Sequence, residues 1–223
     1  MRVVMARNRA EYIPVLKYNW LTPLYDPLLR WTMRESTFKR RLVEQARIKR
    51  GHRVLDLGCG TATLTLLIKK AHLEAEVIGL DGDPKVLEIA RGKVAKAGLD
   101  VTLDLGMSFE LPYPDSSFDR VLSSLLFHHL TGENKGRTLK QVFRILRPGG
   151  ELRVADFGKP QNFLMRIVSF PWQIFEGFKT TADNVKGLLP ELFQAAGFEE
   201  VQETSRYMTM FGTLSLYKPR KPA

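Results

Sequence analysis

Two histidines and one aspartate combine residue types that can move a proton. His128 and His129 follow the predicted strand 118–126, and Asp156 follows the predicted strand 151–155. Imidazole changes its charge near neutral pH, and a neighbouring carboxylate raises its basicity and fixes its orientation. Acid–base chemistry is the first hypothesis, and a histidine with no role beyond its loop is the alternative. Adjacent histidines point in different directions and no third ligand is evident, so a metal pair is disfavoured.

A glycine-rich turn follows the apolar run 54–57 and forms a second candidate site. Asp56 lies within that run, and Gly58, Cys59 and Gly60 come directly after it, before a helical pattern. Glycines at this place let a ligand approach the backbone N–H groups of a helix N-terminus. The spacing predicts a nucleotide-like binding turn, although a plain tight turn has the same spacing.

A further carboxylate stands 21 residues beyond Gly60. Asp81, followed by Gly82, ends a second apolar run. In doubly wound folds, an acidic residue about 20 residues past such a turn accepts hydrogen bonds from a ribose. Asp81 is therefore the predicted ribose ligand. A helix N-cap is the alternative role, but Asp83 stands closer to the helix that Pro84 begins.

Strands and helices alternate along the chain and must position these residues. Apolar runs predict strands at 54–57, 77–81, 101–103, 118–126 and 151–155, and helical spacing predicts helices at 37–49, 84–97, 131–146 and 185–196. This alternation predicts an α/β fold with a parallel sheet and helices on both faces. Ligands of such folds bind outside the carboxyl ends of the strands, where the candidate residues stand.

Length and composition limit the possible organisation. The chain has 223 residues, of which 44% are hydrophobic, enough for one α/β domain and too few for two. The single cysteine, Cys59, excludes an intramolecular disulfide and favours a reducing cytoplasm. Neither a signal peptide nor a run of about 18 apolar residues is visible, so we expect a cytoplasmic protein, soluble or peripheral at a membrane.

The positive charge is concentrated at the start of the chain. Residues 1–53 contain 13 Lys and Arg against 4 Asp and Glu, a net charge of +9, whereas the whole chain carries +10. Such a segment can contact anionic lipid, contact nucleic acid or remain solvated. We expect a solvated face first, peripheral membrane contact second, and nucleic acid last.

Four segments together resemble the class I S-adenosylmethionine-dependent methyltransferases. They are VLDLGCGTA (54–62), GLDGDP (79–84), LPYPDSSFDRVLSSLLFHHL (111–130) and LRPGGELRVADF (146–157). The dinucleotide fingerprint would place glycine where Thr63 stands, and Asp56 before the glycines favours a methyltransferase. The chain is most similar to the branch that contains quinone-biosynthesis C-methyltransferases and small-molecule O-methyltransferases. The resemblance implies a Rossmann-like, mostly parallel sheet of seven strands with an antiparallel C-terminal strand.

The resemblance also implies roles for individual residues. S-adenosylmethionine is the implied cofactor, and His128 with Asp156 is the implied base dyad, with His129 beside it. Met107 and Ser108 stand where the family commonly has an aspartate for adenine, and Tyr25 matches a tyrosine that often lies over the cofactor, although it could be an aromatic anchor. The implied cofactor-binding residues are Asp56, Gly58, Cys59, Gly60, Asp81, Gly82, Met107, Ser108 and Tyr25.

We expect two parts in the chain. Residues 1–50 form a helical lid or entrance segment, and residues 51–223 form the methyltransferase domain, with a lid-like insertion at about 158–184. Within the insertion, residues 161–178 are rich in large apolar side chains and are interrupted by Pro171. Three roles are open for this stretch: it roofs an apolar substrate pocket, it docks to a membrane or a second subunit, or it packs in the core.

The functional hypothesis is methyl transfer to a small or lipid-like apolar acceptor, such as a phenol or a quinone precursor. An RNA methyltransferase is one alternative, suggested by the basic segment, but no Asn-Pro-Pro-Tyr or Pro-Cys motif occurs. A non-catalytic binding or scaffold protein is another, suggested by Met107. The sequence leaves open the oligomeric state and whether oxygen, carbon or nitrogen is methylated.

Overall fold

The computed structural model describes residues 35–176 and 178–223. Its strands are β1 (Arg53–Leu57), β2 (Glu76–Asp81), β3 (Thr102–Leu105), β4 (Phe118–Ser124), β5 (Leu146–Phe157), β6 (Glu199–Thr209) and β7 (Gly212–Arg220). Its helices are α1 (Glu35–Ala46), α2 (Thr63–Ala71), α3 (Pro84–Ala97), α4 (Gly132–Ile145), α5 (Phe163–Glu176), α6 (Phe178–Lys186) and α7 (Leu189–Ala195), with a 3₁₀ turn at Phe127–His129. Tyr25 and most of the predicted entrance segment lie outside the described residues.

All seven strands form one sheet in the order β3-β2-β1-β4-β5-β7-β6. The strands from β3 to β5 pair in parallel, and β7 runs antiparallel to both β5 and β6. The predicted Rossmann-like sheet of seven strands with an antiparallel C-terminal strand is confirmed. Its strand order reverses between β1 and β4, so the carboxyl ends of these strands border a crevice.

The sheet separates two apolar cores because successive side chains of a strand point to opposite faces. On one face Leu55 and Leu57 of β1 pack with residues of α4 and α7, including Leu139 and Phe193. On the other face Val54 packs with residues of α1 and α2. The helices bury their apolar stripes on both faces of the sheet, and this burial holds the strand ends in place.

The helices α3 and α4 lie within one residue of their predicted bounds, whereas α1 begins two residues before and ends three residues before the predicted 37–49. Asp83 caps α3 by accepting a bond of 2.9 Å from Lys85 N–H, and Pro84 follows it at the first helical position, which suits proline. Gly98 ends α3 with φ 61°. The alternative role considered for Asp81, a helix cap, therefore belongs to Asp83.

Pro171, which interrupts the apolar stretch 161–178, lies inside α5. One local prediction was wrong. Residues 147–150, expected as a turn between the predicted helix 131–146 and the predicted strand 151–155, lie within an irregular start of β5. The C-terminal tail pairs with this stretch, since Gly149 N–H donates to Lys221 O at 3.2 Å and Lys221 N–H donates to Gly150 O at 2.9 Å.

The end of the predicted insertion also differs from the expected pattern. The single helix predicted at 185–196 is divided between α6 and α7. Gly187, with φ 81°, separates the two helices, a conformation that is common for glycine and rare for other residues. In the described ranges no helix has the length and apolar character needed to cross a membrane.

Candidate active site

The turn after β1 folds back onto the end of β2. The N–H groups of Gly58 and Cys59 both donate to Leu80 O, at 2.8 and 3.0 Å. Gly58 has φ 72°, and a Cβ at this position would lie 2.9 Å from Leu126 Cδ1. The predicted glycine turn is therefore a close approach of main chain to main chain, with no room for a side chain at Gly58.

The N-terminus of α2 has the properties of a site for a negatively charged group. Ala62 precedes the helix with φ 62°, and no side chain caps it. Gly60 has φ 55°, and a Cβ built there would meet nothing within 4 Å. Uncapped N–H groups at a helix N-terminus favour an anion such as a carboxylate.

Asp81 connects the glycine turn to the start of α3. Its Oδ2 accepts a hydrogen bond from Gly60 N–H at 2.8 Å, and its Oδ1 accepts one from Asp83 N–H at 3.0 Å. Burial raises the pKa of Asp81, and bonds from backbone N–H groups, including that of Gly82, oppose the rise. A carboxylate offers about four acceptor positions, so capacity remains for the hydroxyl groups of a ribose.

Asp56 is buried on β1 beneath the same turn. Its Oδ2 accepts a bond of 2.6 Å from Thr65 Oγ1 of α2. Burial raises the pKa of Asp56 to about 6, whereas Thr65 and the cation of Lys39 act to lower it. Burial and the nearby carboxylates also raise the pKa of the Cys59 thiol, which disfavours the reactive thiolate. Asp56 is the group here that a bound cation would stabilise.

These features fit S-adenosylmethionine, the cofactor implied by the sequence. The cofactor carries a carboxylate, an ammonium group and a ribose, and the structure offers the α2 N-terminus, Asp56 and Asp81 respectively for these groups. The carboxylates are close enough to affect each other electrostatically. The predicted residues of the turn and of the β2 end are thus brought together at one edge of the sheet.

The two predicted adenine neighbours differ in their surroundings. Both follow β3, whose end is held to β2 by a bond of 3.0 Å from Gly106 N–H to Asp81 O. Met107 is partly exposed there. Ser108 is buried, and its Oγ lies 3.0 Å from Thr138 Oγ1 of α4. Because the Ser108 hydroxyl bonds with α4, Met107 is the better placed of the two for contact with an adenine ring.

The two residues of the predicted dyad meet across the ends of β4 and β5. After β4, Leu125 adopts φ 60° and the chain enters the 3₁₀ turn Phe127–His129. This change of direction brings His128 Nδ1 to 2.9 Å from Asp156 Oδ1. Both side chains are buried, His128 with 4% exposure and Asp156 with none.

Asp156 is surrounded by hydrogen-bond donors. Its Oδ2 accepts from Phe127 N–H at 2.7 Å, and its Oδ1 accepts from Phe157 N–H at 2.8 Å and from Asn184 Nδ2 at 3.1 Å. Because an ionised carboxylate can only accept hydrogen bonds, His128 Nδ1 is assigned as a donor to Asp156 Oδ1 and carries the proton. In this tautomer, Nε2 is the ring nitrogen that can accept a proton.

Aromatic contacts fix the plane of the His128 ring. Its centroid lies 3.9 Å from that of His129 and 5.1 Å from that of Phe157, with interplanar angles of 43° and 77°. His129 is thus a neighbour of the His128 ring. Within residues 35–176 and 178–223, no three His, Cys, Asp or Glu side chains are grouped as a metal site would require.

Asn184 of α6 is a site residue that the sequence analysis missed. Its Nδ2 donates both to Asp156 Oδ1 and to Phe157 O, the latter at 2.9 Å. The side chain is fully buried, and in the described part of the chain no donor reaches its Oδ1. Nothing in the local sequence distinguishes this asparagine, since its partners lie more than 25 residues away.

Lys135 of α4 is a second missed residue. It is fully buried, and its Nζ donates to Thr180 O at 2.6 Å and to Asp183 Oδ2 at 3.3 Å. Burial lowers the pKa of Lys135, while Asp183 and Asp156 act to raise it. Its signal was its place on the apolar face of α4, where a lysine is rarely buried without a partner. Lys135 and Asn184 together hold α6 beside the dyad.

Comparisons with known proteins agree with this geometry. The family described as a methyltransferase domain matches residues 54–150, which include the glycine turn, Asp81 and the 3₁₀ turn. A demethylmenaquinone methyltransferase of Thermus thermophilus is 29% identical, over 92% of this chain and 100% of its own. A demethylmenaquinone methyltransferase of Symbiobacterium thermophilum is 30% identical, over 80% of this chain and 79% of its own.

The fold likeness extends to solved structures. The YcgJ protein of Bacillus subtilis superimposes with a TM-score of 0.69 at 17% identity, over 84% of this chain and 99% of that one. At this identity the likeness concerns the fold, whereas the curated relatives carry the family assignment. The chain belongs to the class I S-adenosylmethionine-dependent methyltransferases, in the branch of the quinone-biosynthesis enzymes.

Proposed function

We propose that this enzyme methylates a small or lipid-like apolar acceptor that bears an acidic hydroxyl, with a quinone precursor as the substrate class. The observation that carries the proposal is the His128–Asp156 pair, 2.9 Å apart at the strand ends that adjoin the cofactor turn. The names of the curated relatives, demethylmenaquinone methyltransferases, support a quinone-type acceptor. Removal of a hydroxyl proton by the base would serve methylation of either the oxygen or a ring carbon.

The chain's residues divide the work between positioning and proton removal. S-adenosylmethionine, when bound, supplies an electrophilic methyl group. His128 Nε2 takes the proton of the acceptor hydroxyl, and Asp156 stabilises the resulting imidazolium through Nδ1–H. Loss of that proton increases the electron density of the acceptor, so its oxygen or ring carbon can attack the donor's methyl carbon, with S-adenosylhomocysteine as the leaving group. Attack by a ring carbon is followed by loss of that carbon's proton, which restores the ring. Holding donor and acceptor in line supplies much of the remaining rate enhancement.

The surroundings of the dyad support an apolar aromatic acceptor. Phe157 packs edge-on against the His128 ring at 5.1 Å. Aromatic side chains favour a ligand of similar character, while a few polar groups fix its orientation. An aromatic ring beside the base suits a phenol or hydroquinone better than a polyanion.

Transfer of label from methyl-labelled S-adenosylmethionine tests the proposal. The full chain is incubated separately with a short-chain demethylmenaquinone analogue kept reduced, with a tRNA pool, and with a membrane lipid extract. We expect label in the quinol and in quinone species of the lipid extract. Label in tRNA would replace the proposed acceptor by RNA, and donor binding without transfer to any of the three would favour the non-catalytic alternative.

Replacing His128 by alanine should remove the base. Turnover with the accepted quinol should fall by about 10²–10⁴, the range for loss of a general base, while the Kd of S-adenosylmethionine measured by calorimetry stays within about twofold of wild type. His129→Ala is the control and should lower turnover less. Full turnover in His128→Ala would show that catalysis depends on positioning alone.

Replacing Asn184 by alanine should loosen the dyad without touching the cofactor turn. Asp156 Oδ1 and Phe157 O each lose a donor, and a lost bond to a buried polar group costs about 1–3 kcal/mol. We expect kcat to fall by about tenfold, with donor Kd unchanged. Lys186→Ala, an exposed change on the same helix, is the matched control. A lower melting temperature with normal kcat in the folded variant would assign Asn184 a purely structural role.

The raised pKa of Asp56 predicts that donor affinity decreases in acid. In the free enzyme burial places the pKa of Asp56 at about 6, and the ammonium group of the bound donor lowers it. Donor binding then releases a proton below pH 6, so affinity should fall by about tenfold between pH 7.5 and pH 5. Calorimetry across this range measures the effect. Asp56→Asn should bind more weakly at pH 7.5 and lose most of the pH dependence; a decline identical to wild type would assign the titration to another group.

A further inference from the structure

An exposed apolar surface lies on α5 and on the turn between β6 and β7. Six large apolar side chains there are more than half exposed, up to 78% for Phe163. They are Phe163, Leu164, Ile167, Phe170, Met208 and Met210. On α5 the spacing of 163, 167 and 170 places these residues on one side of the helix, while Met165 and Ser169 are buried on the other.

Close contacts join α5 to the hairpin of β6 and β7. Asn162 Nδ2 lies 3.7 Å from Met208 Sδ, and Gln161 N–H donates to Thr213 Oγ1 at 3.1 Å. A Cβ on Gly212 would lie 3.2 Å from Ser169 Cβ, so the helix rests directly on the hairpin turn. The exposed residues of the two elements therefore form one continuous surface, called here the α5–hairpin surface. Single exposed apolar residues are ordinary, but a contiguous patch marks an interaction site.

The two segments that carry this surface have a positive net charge. Segments 157–175 and 204–223 contain no Asp or Glu. Arg166 is exposed on α5 between Phe163 and Phe170, and Lys159 is exposed just before the helix. Apolar side chains combined with Lys and Arg characterise surfaces that insert into the headgroup region of an anionic bilayer.

The same charges disfavour a second copy of the chain as the partner. A two-fold contact would use the same surface on both copies. It would bring the arginine and lysine of one copy towards those of the other, with no carboxylate from either segment to offset them. An anionic membrane complements this surface in two ways. Its headgroups are negatively charged, and its acyl chains can bury the apolar side chains.

We propose that the α5–hairpin surface docks the enzyme onto an anionic lipid bilayer. Phe157, in contact with the His128 ring, pairs with Leu214 of β7, two residues from Gly212 beside the hairpin turn. The dyad therefore lies close to the membrane-facing side of the molecule. Uptake of a lipid-like acceptor at this side rests on the proposed function. The docking itself does not depend on that function.

Flotation of the full chain with vesicles tests the docking. Vesicles contain phosphatidylcholine alone or phosphatidylcholine with phosphatidylglycerol, at low and high salt. We expect binding to the anionic vesicles that weakens with salt. The double change Phe163→Ser with Phe170→Ser should lower the partition coefficient by about tenfold or more. Leu73→Ser is the matched control, because Leu73 is 64% exposed outside this surface, and it should bind as wild type does.

A second variant and two further measurements make each outcome decisive. Met208→Ser with Met210→Ser should weaken vesicle binding while the sequence of α5 stays unchanged. Donor affinity, and turnover with a water-soluble acceptor, should stay at wild-type values in both double variants. Absence of vesicle binding, or binding that neither double variant weakens, would overturn the proposal. A dimer seen by ultracentrifugation that the same changes dissociate would also overturn it. Failure of quinol methylation with intact vesicle binding would instead count against the proposed function alone.

Discussion

The buried carboxylate of Asp156 is the contact on which the arrangement of the active site depends. A buried charge is costly unless donors surround it, and this one meets the 3₁₀ turn, the His128 ring, its own strand and α6. Displacing any one donor would leave the carboxylate poorly solvated. The turn, the ring and the helix therefore hold one another in position, and the imidazole is oriented before an acceptor arrives.

Carboxylates play a similar part on the cofactor side of the crevice. Asp81 ties the glycine turn to the start of α3, and Asp56 ties β1 to α2 through Thr65. Burial raises the pKa of both groups, which means that their charged forms are poorly stabilised in the free enzyme. Hydroxyl and ammonium groups of a ligand would stabilise those charged forms, which is how one set of residues can shape the loops and also bind the donor.

Much of this arrangement follows from local sequence, and the remainder depends on distant contacts. The glycine turn, the Asp83 cap and the sheet were predicted because strand, turn and cap signals lie within a few residues of one another. Lys135 meets Asp183 from 48 residues away, and no local pattern reports such a pair. The expected turn at 147–150 lies within β5, where the C-terminal tail pairs with it from about 70 residues away. The contact of Ser108 with Thr138 of α4, 30 residues away, is also absent from the local pattern.

The helices α5 and α6 are stabilised in opposite ways. Buried polar contacts of Lys135 and Asn184 hold α6, and such contacts tolerate little displacement because an unpaired buried group is costly. Four of the large apolar side chains of α5 are instead exposed, so that helix can change its surroundings at little cost to the fold. The buried contacts of α6 hold Asn184 against Asp156, whereas the exposed apolar side chains of α5 are the ones suited to contact a bilayer.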